Sequence, residues 1–212
     1  MKNNNNTLSR NRKIALTGAL SALIIVLTFT NLGFIQFSPV VSITILQIPV
    51  ILAAFLAGLP GGLFAGFIMG LMSLIKAAMS PSGVLDPLFV NPLCSVLPRM
   101  LMGCVAWGMW KLFDFIPKFP KTLNAGISAF IATFAHTLLV YGCIFLFKGA
   151  DMRDALAQIG MEGYGFLGVV GFGIVNEMLE AVASTVVCSA VFAGIFIASH
   201  KKSKLSQTED AE

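Results

Sequence analysis

The sequence predicts an all-α integral membrane protein with six transmembrane helices, arranged as a compact bundle with a structured outer loop between helices 1 and 2. Three observations support this class. Hydrophobic residues make up 57% of the chain and charged residues only 11%, whereas a soluble domain has about 25% charged residues. The apolar residues form long runs without alternation, which favours helices over a transmembrane β-barrel. The basic residues behind the net charge of +4 lie at the borders of these runs, so we expect contact with the lipid bilayer and no nucleic-acid partner.

Six apolar segments follow one another along the chain. Their approximate bounds are 14–30, 48–58, 63–78, 91–115, 123–147 and 165–199. The second segment is too short to cross about 30 Å of hydrocarbon unaided, so we expect the preceding residues 31–47 to fold into the protein and complete the crossing. Loops are predicted at 79–90 and 148–164.

The basic residues also predict the orientation. If there are six spans with both ends inside, the inner segments hold ten Lys and Arg residues and the outer parts hold four. Because basic residues favour the cytoplasmic side, we predict a multi-pass protein of the cell membrane with both termini in the cytoplasm. The predicted parts are an N-terminal tail at 1–12, a six-helix membrane domain at 13–199 and a charged tail at 200–212.

The sixth segment contains polar residues that are costly in a membrane. A carboxylate at membrane depth costs several kcal/mol unless it is paired, hydrated or protonated, and such residues are usually functional. Asn176 and Glu180 are four residues apart and share one helix face, so we predict that they line a pocket for a polar solute. Glu177 points roughly 100° away from Asn176 and is predicted to contact a neighbouring helix, for example through Arg99.

Other polar residues are predicted to lie in the outer half of the bundle. Arg99 either contacts a ligand, pairs with Glu177 or Glu180, or extends to the outer interface. His136 is either a packing residue or a ligand contact. The candidate substrate-binding residues are Asn176, Glu180, Arg99, His136, Asn91 and Gln47.

The pattern of reactive residues predicts no catalytic centre, no metal site and no cofactor. The four cysteines are scattered in apolar surroundings and His136 stands alone, whereas metal sites need several such ligands at tight spacing. The chain has no Gly-rich phosphate loop, so we expect that it does not hydrolyse ATP itself. Two alternatives remain open, which are an intramembrane enzyme using His136, Glu177 and Glu180, and a stand-alone carrier.

Small residues recur at helical spacing in two segments. In the first segment, Ala15 and Ala19 are four apart, as are Gly18 and Ala22. In the third segment, glycines recur between Gly58 and Gly70. Small residues at this spacing let two helices approach closely in lipid, so they indicate either tight internal packing or a docking face for another protein.

The order of these features is characteristic. A basic N-terminus precedes Ala15-xxx-Ala19, followed by the run from Ile48-Pro49 to Gly62, then Pro98-Arg99, and finally Asn176-xxx-Glu180. In this order the chain resembles the substrate-binding S components of energy-coupling factor (ECF) vitamin transporters, over about residues 12–198.

The resemblance implies a six-helix protein that binds a vitamin or related micronutrient from outside and docks onto a membrane coupling (T) subunit that carries two ATP-binding subunits. ATP would be used by those partner subunits. Ala15 and Ala19 match the docking motif, and Asn176 and Glu180 match a motif of the substrate pocket. One departure is Ala135-His136-Thr137, where many relatives have Thr-Asn-Thr.

The pantothenate-type S components are the most similar within this family. A buried arginine suits a carboxylate ligand because its fork binds both oxygens, and pantothenate also offers hydroxyl and amide groups to Asn176, Glu180 and His136. Pantothenate is therefore the predicted substrate. Riboflavin, pyridoxine, a cobalamin-like compound or another small polar nutrient remains an alternative.

Overall fold

A computed structural model of the chain describes residues 9–30, 32–36, 42–81, 86–158, 160, 177–195 and 197–198. Within these residues the chain is predominantly helical. The helices are α1 (Arg10–Phe29), α2 (Gln47–Ala57), α3 (Leu59–Met79), α4 (Pro92–Asp114), α5 (Lys121–Gln158) and α6 (Glu177–Ile195). All of these except α2 are long and apolar enough to cross a membrane, whereas α2 has only 11 residues.

The connection between α1 and α2 contains a short antiparallel ladder. Strands β1 (Phe34–Gln36) and β2 (Ser42–Thr44) pair so that Phe34 lies opposite Thr44. The backbone amide of Gly33 donates to the carbonyl of Leu27 at 3.0 Å and fastens the ladder to the end of α1. The sequence predicts a structured loop between helices 1 and 2 and no strands, whereas the described part of this connection contains a two-stranded ladder, whose pairing satisfies backbone N–H and C=O groups.

The helices run up and down between two ends of the bundle. At one end of the bundle, the last residue of α4, Asp114, forms an ion pair with the first residue of α5, Lys121. The starts of α1 and α3 also meet there, with Thr17 beside Gly61. We call this the basic end, because the basic residues of the first turn of α1 lie here. The opposite end, which carries β1 and β2, is the hairpin end.

Helices α3 and α4 pack at very short range. Gly62, Gly66 and Gly70 lie on one face of α3, four residues apart. A Cβ atom added to Gly62 would lie 3.1 Å from the carbonyl oxygen of Gly103, and one added to Gly70 would lie 2.5 Å from the Cα atom of Val96. These three glycines therefore serve internal packing, which is one of the two roles that the sequence left open.

The core at the basic end is closed by aromatic rings. Phe55 of α2 stacks on Trp110 of α4 at 4.9 Å between ring centroids, and Trp110 contacts Phe192 of α6 at 4.7 Å. Such ring pairs contribute beyond the apolar area that they bury. The buried charged side chains of the described helices lie at other levels, towards the hairpin end.

Two predicted loops contain helix. Residues 79–90 were expected to be a loop, but Asp86–Val90 forms a 3₁₀ helix that leads into α4. The predicted loop at 148–164 is helical as far as Gln158, and α5 breaks only at Lys148, whose φ and ψ of −138° and 31° are not helical. The polar composition indicates a loop, but the segment is an amphipathic helix that buries Met152, Ala155 and Leu156 and exposes its charged residues. Most of the predicted tail regions and residues 161–176 lie outside the described part of the chain.

Candidate functional site

Three helices bring buried ionisable side chains together towards the hairpin end. Arg99 of α4, His136 of α5 and Glu180 of α6 are each less than 8% exposed. Arg99 interacts electrostatically with both His136 and Glu180, so these three sequence-predicted residues form one group, which we call the polar cluster. A charged group in such surroundings is costly unless polar partners or a ligand compensate for the lost water.

A proline in α4 prepares the position of Arg99. Pro98 has no backbone N–H and cannot donate to the carbonyl of Cys94, four residues earlier. The guanidinium of Arg99 donates to that carbonyl instead, through Nη1 at 2.8 Å. Pro98 thus leaves the Cys94 carbonyl without a backbone donor, and the Arg99 side chain donates to it instead. This hydrogen bond holds the Arg99 side chain against α4.

Beyond this hydrogen bond and its electrostatic interaction with Glu180, the Arg99 guanidinium has one ring contact and one donor without a partner among the described residues. Its Cζ atom lies 4.8 Å from the ring centroid of Phe89, a cation–π contact. Its Nε is buried and has no hydrogen-bond partner among the described residues. An anionic ligand group would supply the acceptor that this donor lacks.

His136 is buried with neither ring nitrogen hydrogen-bonded to any described residue. One turn earlier on the same helix, the Thr133 hydroxyl is also buried without a partner in the described part of the chain. Buried polar groups are hydrogen-bonded in the large majority of cases. This face of α5 therefore has donor and acceptor capacity that a bound polar molecule could use.

Glu177 contacts α5 rather than Arg99. One carboxylate oxygen, Oε2, accepts a hydrogen bond from the Thr137 hydroxyl. The other, Oε1, is buried and unpartnered within the described residues. The prediction that Glu177 contacts a neighbouring helix is confirmed. Its partner is Thr137 of α5 and not Arg99 of α4, because Glu177 lies on the side of α6 that faces α5.

Glu180 and Ser184 of α6 hold the segment between α1 and α2 against the bundle. The Oε1 atom of Glu180 accepts a hydrogen bond of 2.7 Å from the backbone amide of Thr44 in β2. The Ser184 hydroxyl accepts a 3.4 Å hydrogen bond from Nε2 of Gln47, the first residue of α2. Gln47 is fully buried and its Oε1 lacks a partner among the described residues. Gln47 and Glu180, both predicted site residues, thus lie along one seam.

Asn91 and the two predicted docking residues of α1 lie apart from this cluster. Asn91 caps α4, since its side chain accepts a hydrogen bond of 2.9 Å from the amide of Leu93, and capping is sufficient reason for an Asn at this position. Asn176 lies outside the described residues. Ala15 and Ala19 are exposed on α1, where they could meet another helix.

Sequence reasoning missed three polar residues of this region. Thr133, Thr137 and Ser184 were not singled out, because hydroxyl residues are common in membrane helices. Their spacing carried a signal nonetheless, since Ser184 follows Glu180 by four residues and Thr133 precedes His136 by three, which places each pair on one face. Within the described residues, no group of three or more His, Cys, Asp or Glu side chains could hold a metal ion.

Comparison with known proteins identifies the family. Residues 12–192 match the family model described as "ECF transporter, substrate-specific component". The chain is 24% identical over 185 residues to the pantothenic acid transporter PanT of Lactococcus lactis subsp. cremoris, covering 81% of this chain and 87% of that protein. It is 28% identical over 170 residues to the pantothenate transporter PanT of Leuconostoc mesenteroides subsp. mesenteroides, covering 76% and 79%.

Proposed function

This chain belongs to the family of ECF transporter substrate-specific components, and on that premise we propose that its substrate is pantothenate. The family is one of multi-pass membrane proteins that serve as transporter components, and its members are not enzymes. Two relatives that align with most of the chain are named for pantothenate. The chemistry of the polar cluster agrees with that substrate.

The observation that carries the proposal is the incompletely satisfied guanidinium of Arg99. It is buried, one donor goes to the Cys94 carbonyl, and Nε has no partner within the described residues. Pantothenate has a single carboxylate, and a carboxylate accepts from two guanidinium nitrogens at once. Binding would therefore pair a buried cation that the protein leaves without a full set of acceptors.

The uncharged part of pantothenate has an amide and two hydroxyl groups, which need donors and acceptors. His136 and Thr133 offer both on one face of α5. Glu180 of α6 interacts with Arg99, and Gln47 of α2 is bonded to the same helix at Ser184. We propose both as ligand contacts, together with Asn176, which directly precedes Glu177 in the sequence. Asn91 uses its side-chain oxygen to cap α4, so a contact with the ligand would be made by its amide NH₂ group.

We propose six membrane crossings with both termini in the cytoplasm. In this arrangement α2 crosses with the help of residues 31–46, part of which forms β1 and β2 against α6. The basic end then faces the cytoplasm, in agreement with the positive-inside rule, and the polar cluster faces outwards. Reporter fusions at the two termini and at the connection between α3 and α4 would test this topology.

We also propose that the chain acts with a membrane coupling subunit and two ATP-binding subunits, and that it has no cofactor or metal of its own. The exposed Ala15 and Ala19 would form the docking surface on α1, since small side chains allow a partner helix to approach closely. The ATP would be bound and hydrolysed by the partners.

The decisive experiment compares pantothenate with panthenol, which has a hydroxymethyl group in place of the carboxylate. Calorimetry on the purified chain should give roughly 10- to 100-fold tighter binding of pantothenate, the range expected for hydrogen bonds to a charged group. Arg99→Gln should remove that preference and leave the affinity for panthenol nearly unchanged. Arg99→Lys should retain part of the preference for pantothenate, because an ammonium group keeps the positive charge but lacks the two parallel N–H donors of a guanidinium.

Two results would contradict the proposal. If Arg99→Gln weakens the binding of pantothenate and of panthenol equally, Arg99 supports the fold and does not bind the carboxylate. If mass spectrometry of the purified protein identifies riboflavin or another nutrient as the retained molecule, the assignment of pantothenate is wrong while the family assignment stands.

A further inference from the structure

A cleft at the basic end is separate from the polar cluster. Its volume is about 820 Å³, within the range of about 300–1,000 Å³ that is typical of small-molecule sites. It lies between the start of α1, the turn from α2 to α3, and α4. The lining residues that define it are Arg10, Lys13, Ile14, Phe64 and Trp107, together with the turn from Ala57 to Gly61.

Glycines leave the space for this cleft. Gly58 has a φ of +88°, a backbone conformation that residues other than glycine rarely adopt. This residue turns the chain sharply between α2 and α3. Gly18 has no heavy atom within 4 Å of the place where a Cβ would be. The cleft is therefore a consequence of the turn and of small side chains on α1.

The walls of the cleft are mainly apolar. Phe64 is half exposed and Ile14 is 62% exposed, and Trp107 contributes an indole ring from α4. Exposed apolar side chains on membrane-spanning helices such as α1 and α3 face the hydrocarbon of the lipid. A small soluble anion would gain nothing from these walls, whereas a hydrocarbon chain would be buried against them.

The mouth of the cleft is positively charged. Arg10 and Lys13 are three residues apart on α1 and both line the cleft. None of the described residues that line it is acidic. Helices α1 and α3 both begin at this end, and the first turn of a helix carries partial positive charge, which adds to the charge of the two side chains.

We propose that this cleft binds an anionic phospholipid. Arg10 and Lys13 hold the phosphate of the headgroup, and one acyl chain lies along Ile14, Phe64 and Trp107. Basic pockets between transmembrane helices are known sites for anionic headgroups. A lipid is favoured over a partner protein because the cationic mouth and the apolar interior match its two chemically distinct parts.

Native mass spectrometry of the full chain in detergent tests this proposal. The probes are dioleoyl-phosphatidylglycerol, its zwitterionic counterpart dioleoyl-phosphatidylcholine, and glycerol phosphate as the headgroup alone. The unaltered protein should retain phosphatidylglycerol in preference to phosphatidylcholine and should not retain glycerol phosphate. The double variant Arg10→Gln/Lys13→Gln should weaken phosphatidylglycerol binding by about thirtyfold, from the contribution of two basic side chains near an anionic lipid.

The matched control is Arg12→Gln/Lys118→Gln, which removes the same charge from basic residues that do not line the cleft. It should retain phosphatidylglycerol nearly as well as the unaltered protein. Equal loss in both double variants would overturn the proposal, since general surface charge would then be responsible.

Two further outcomes would also overturn it. One is an unaltered protein that shows no preference between the two lipids, a result that does not depend on whether any variant folds. The other is an Arg10→Gln/Lys13→Gln variant that keeps its phosphatidylglycerol but no longer co-purifies with a partner subunit, which would make a protein the occupant of the cleft.

Discussion

The carboxylate of Glu180 accepts a hydrogen bond of 2.7 Å from the backbone amide of Thr44, which lies 136 positions earlier in the chain. This bond joins α6 to β2, the strand that leads into α2. A second bond, from Gln47 to Ser184, lies one helical turn further along α6. The buried Glu180 carboxylate is therefore partly compensated by a backbone amide of β2.

Removing the Glu180 carboxylate should release this segment. Glu180→Ala leaves the Thr44 amide without its acceptor, so hydrogen exchange of the Thr44 amide should accelerate. The affinity for pantothenate should also fall, by about tenfold or more. Glu180→Gln keeps an accepting oxygen and should retain most of the protection at Thr44. The control is Leu179→Ala, at a position 56% exposed on the same helix. Unchanged protection of Thr44 in Glu180→Ala would show that the bond does not hold β2.

A methyl group at Gly66 should force α3 and α4 apart. A Cβ atom there would lie 2.9 Å from the carbonyl carbon of Arg99 and 3.0 Å from the Cα of Met100. Since the obstacle is backbone, we expect Gly66→Ala to destabilise the protein by about 1–3 kcal/mol, measured by thermal unfolding in detergent. Because Arg99 is displaced with α4, ligand affinity should fall as well.

The matched control for Gly66 is Gly108→Ala in α4. No heavy atom lies within 4 Å of a Cβ at Gly108, and alanine is favoured over glycine in a helix interior by about 1 kcal/mol. This variant should be neutral or more stable. Equal destabilisation by both substitutions would mean that the close α3–α4 contact is not responsible.

His136 should show opposite effects on stability and on binding. His136→Phe replaces two unpartnered nitrogens with apolar ring atoms, so the ligand-free protein should unfold at the same or a higher temperature. Its affinity for pantothenate should decrease by about tenfold, because a hydrogen-bonding group of the site is lost. If the affinity for pantothenate is unchanged, His136 is a packing residue, which is the other role that the sequence left open.

Bulky residues at the exposed α1 surface should prevent assembly and leave substrate binding intact. Ala15→Trp or Ala19→Trp places an indole where a partner helix would approach. We expect loss of the coupling and ATP-binding subunits in a pull-down, with pantothenate affinity within twofold of the unaltered chain in the same assay. Leu138→Trp, at a position 45% exposed on α5, serves as the control and should assemble normally. Full assembly of the Ala15→Trp variant would exclude this docking surface.

Much of the fold could be predicted from sequence, because the bilayer imposes strong local requirements. Long apolar runs identified the helices, and the structure places α3 and α4 within a few residues of the predicted segments. The prediction of a loop from Lys148 is wrong, because its polar residues lie on the exposed face of a helix whose other face buries Met152 and Leu156. The β1–β2 ladder could not be predicted from local sequence, because it depends on pairing between two separate segments and on a hydrogen bond from β2 to Glu180 of α6.

The sequence by itself determined which residues are too polar for their surroundings. Arg99, His136, Glu177 and Glu180 stand out in apolar helices whatever the packing, because the cost of burying them depends on their own chemistry. Family membership likewise follows from the order of motifs along the chain.

Only the tertiary structure decided how those residues are used. It paired Glu177 with Thr137 and Glu180 with Thr44. It also separated two glycine- and alanine-rich patterns of similar appearance, burying Gly62 and Gly66 against α4 and leaving Ala15 exposed. The physical reason is that helical spacing tells which residues share a face, whereas the neighbour of that face depends on how distant segments pack.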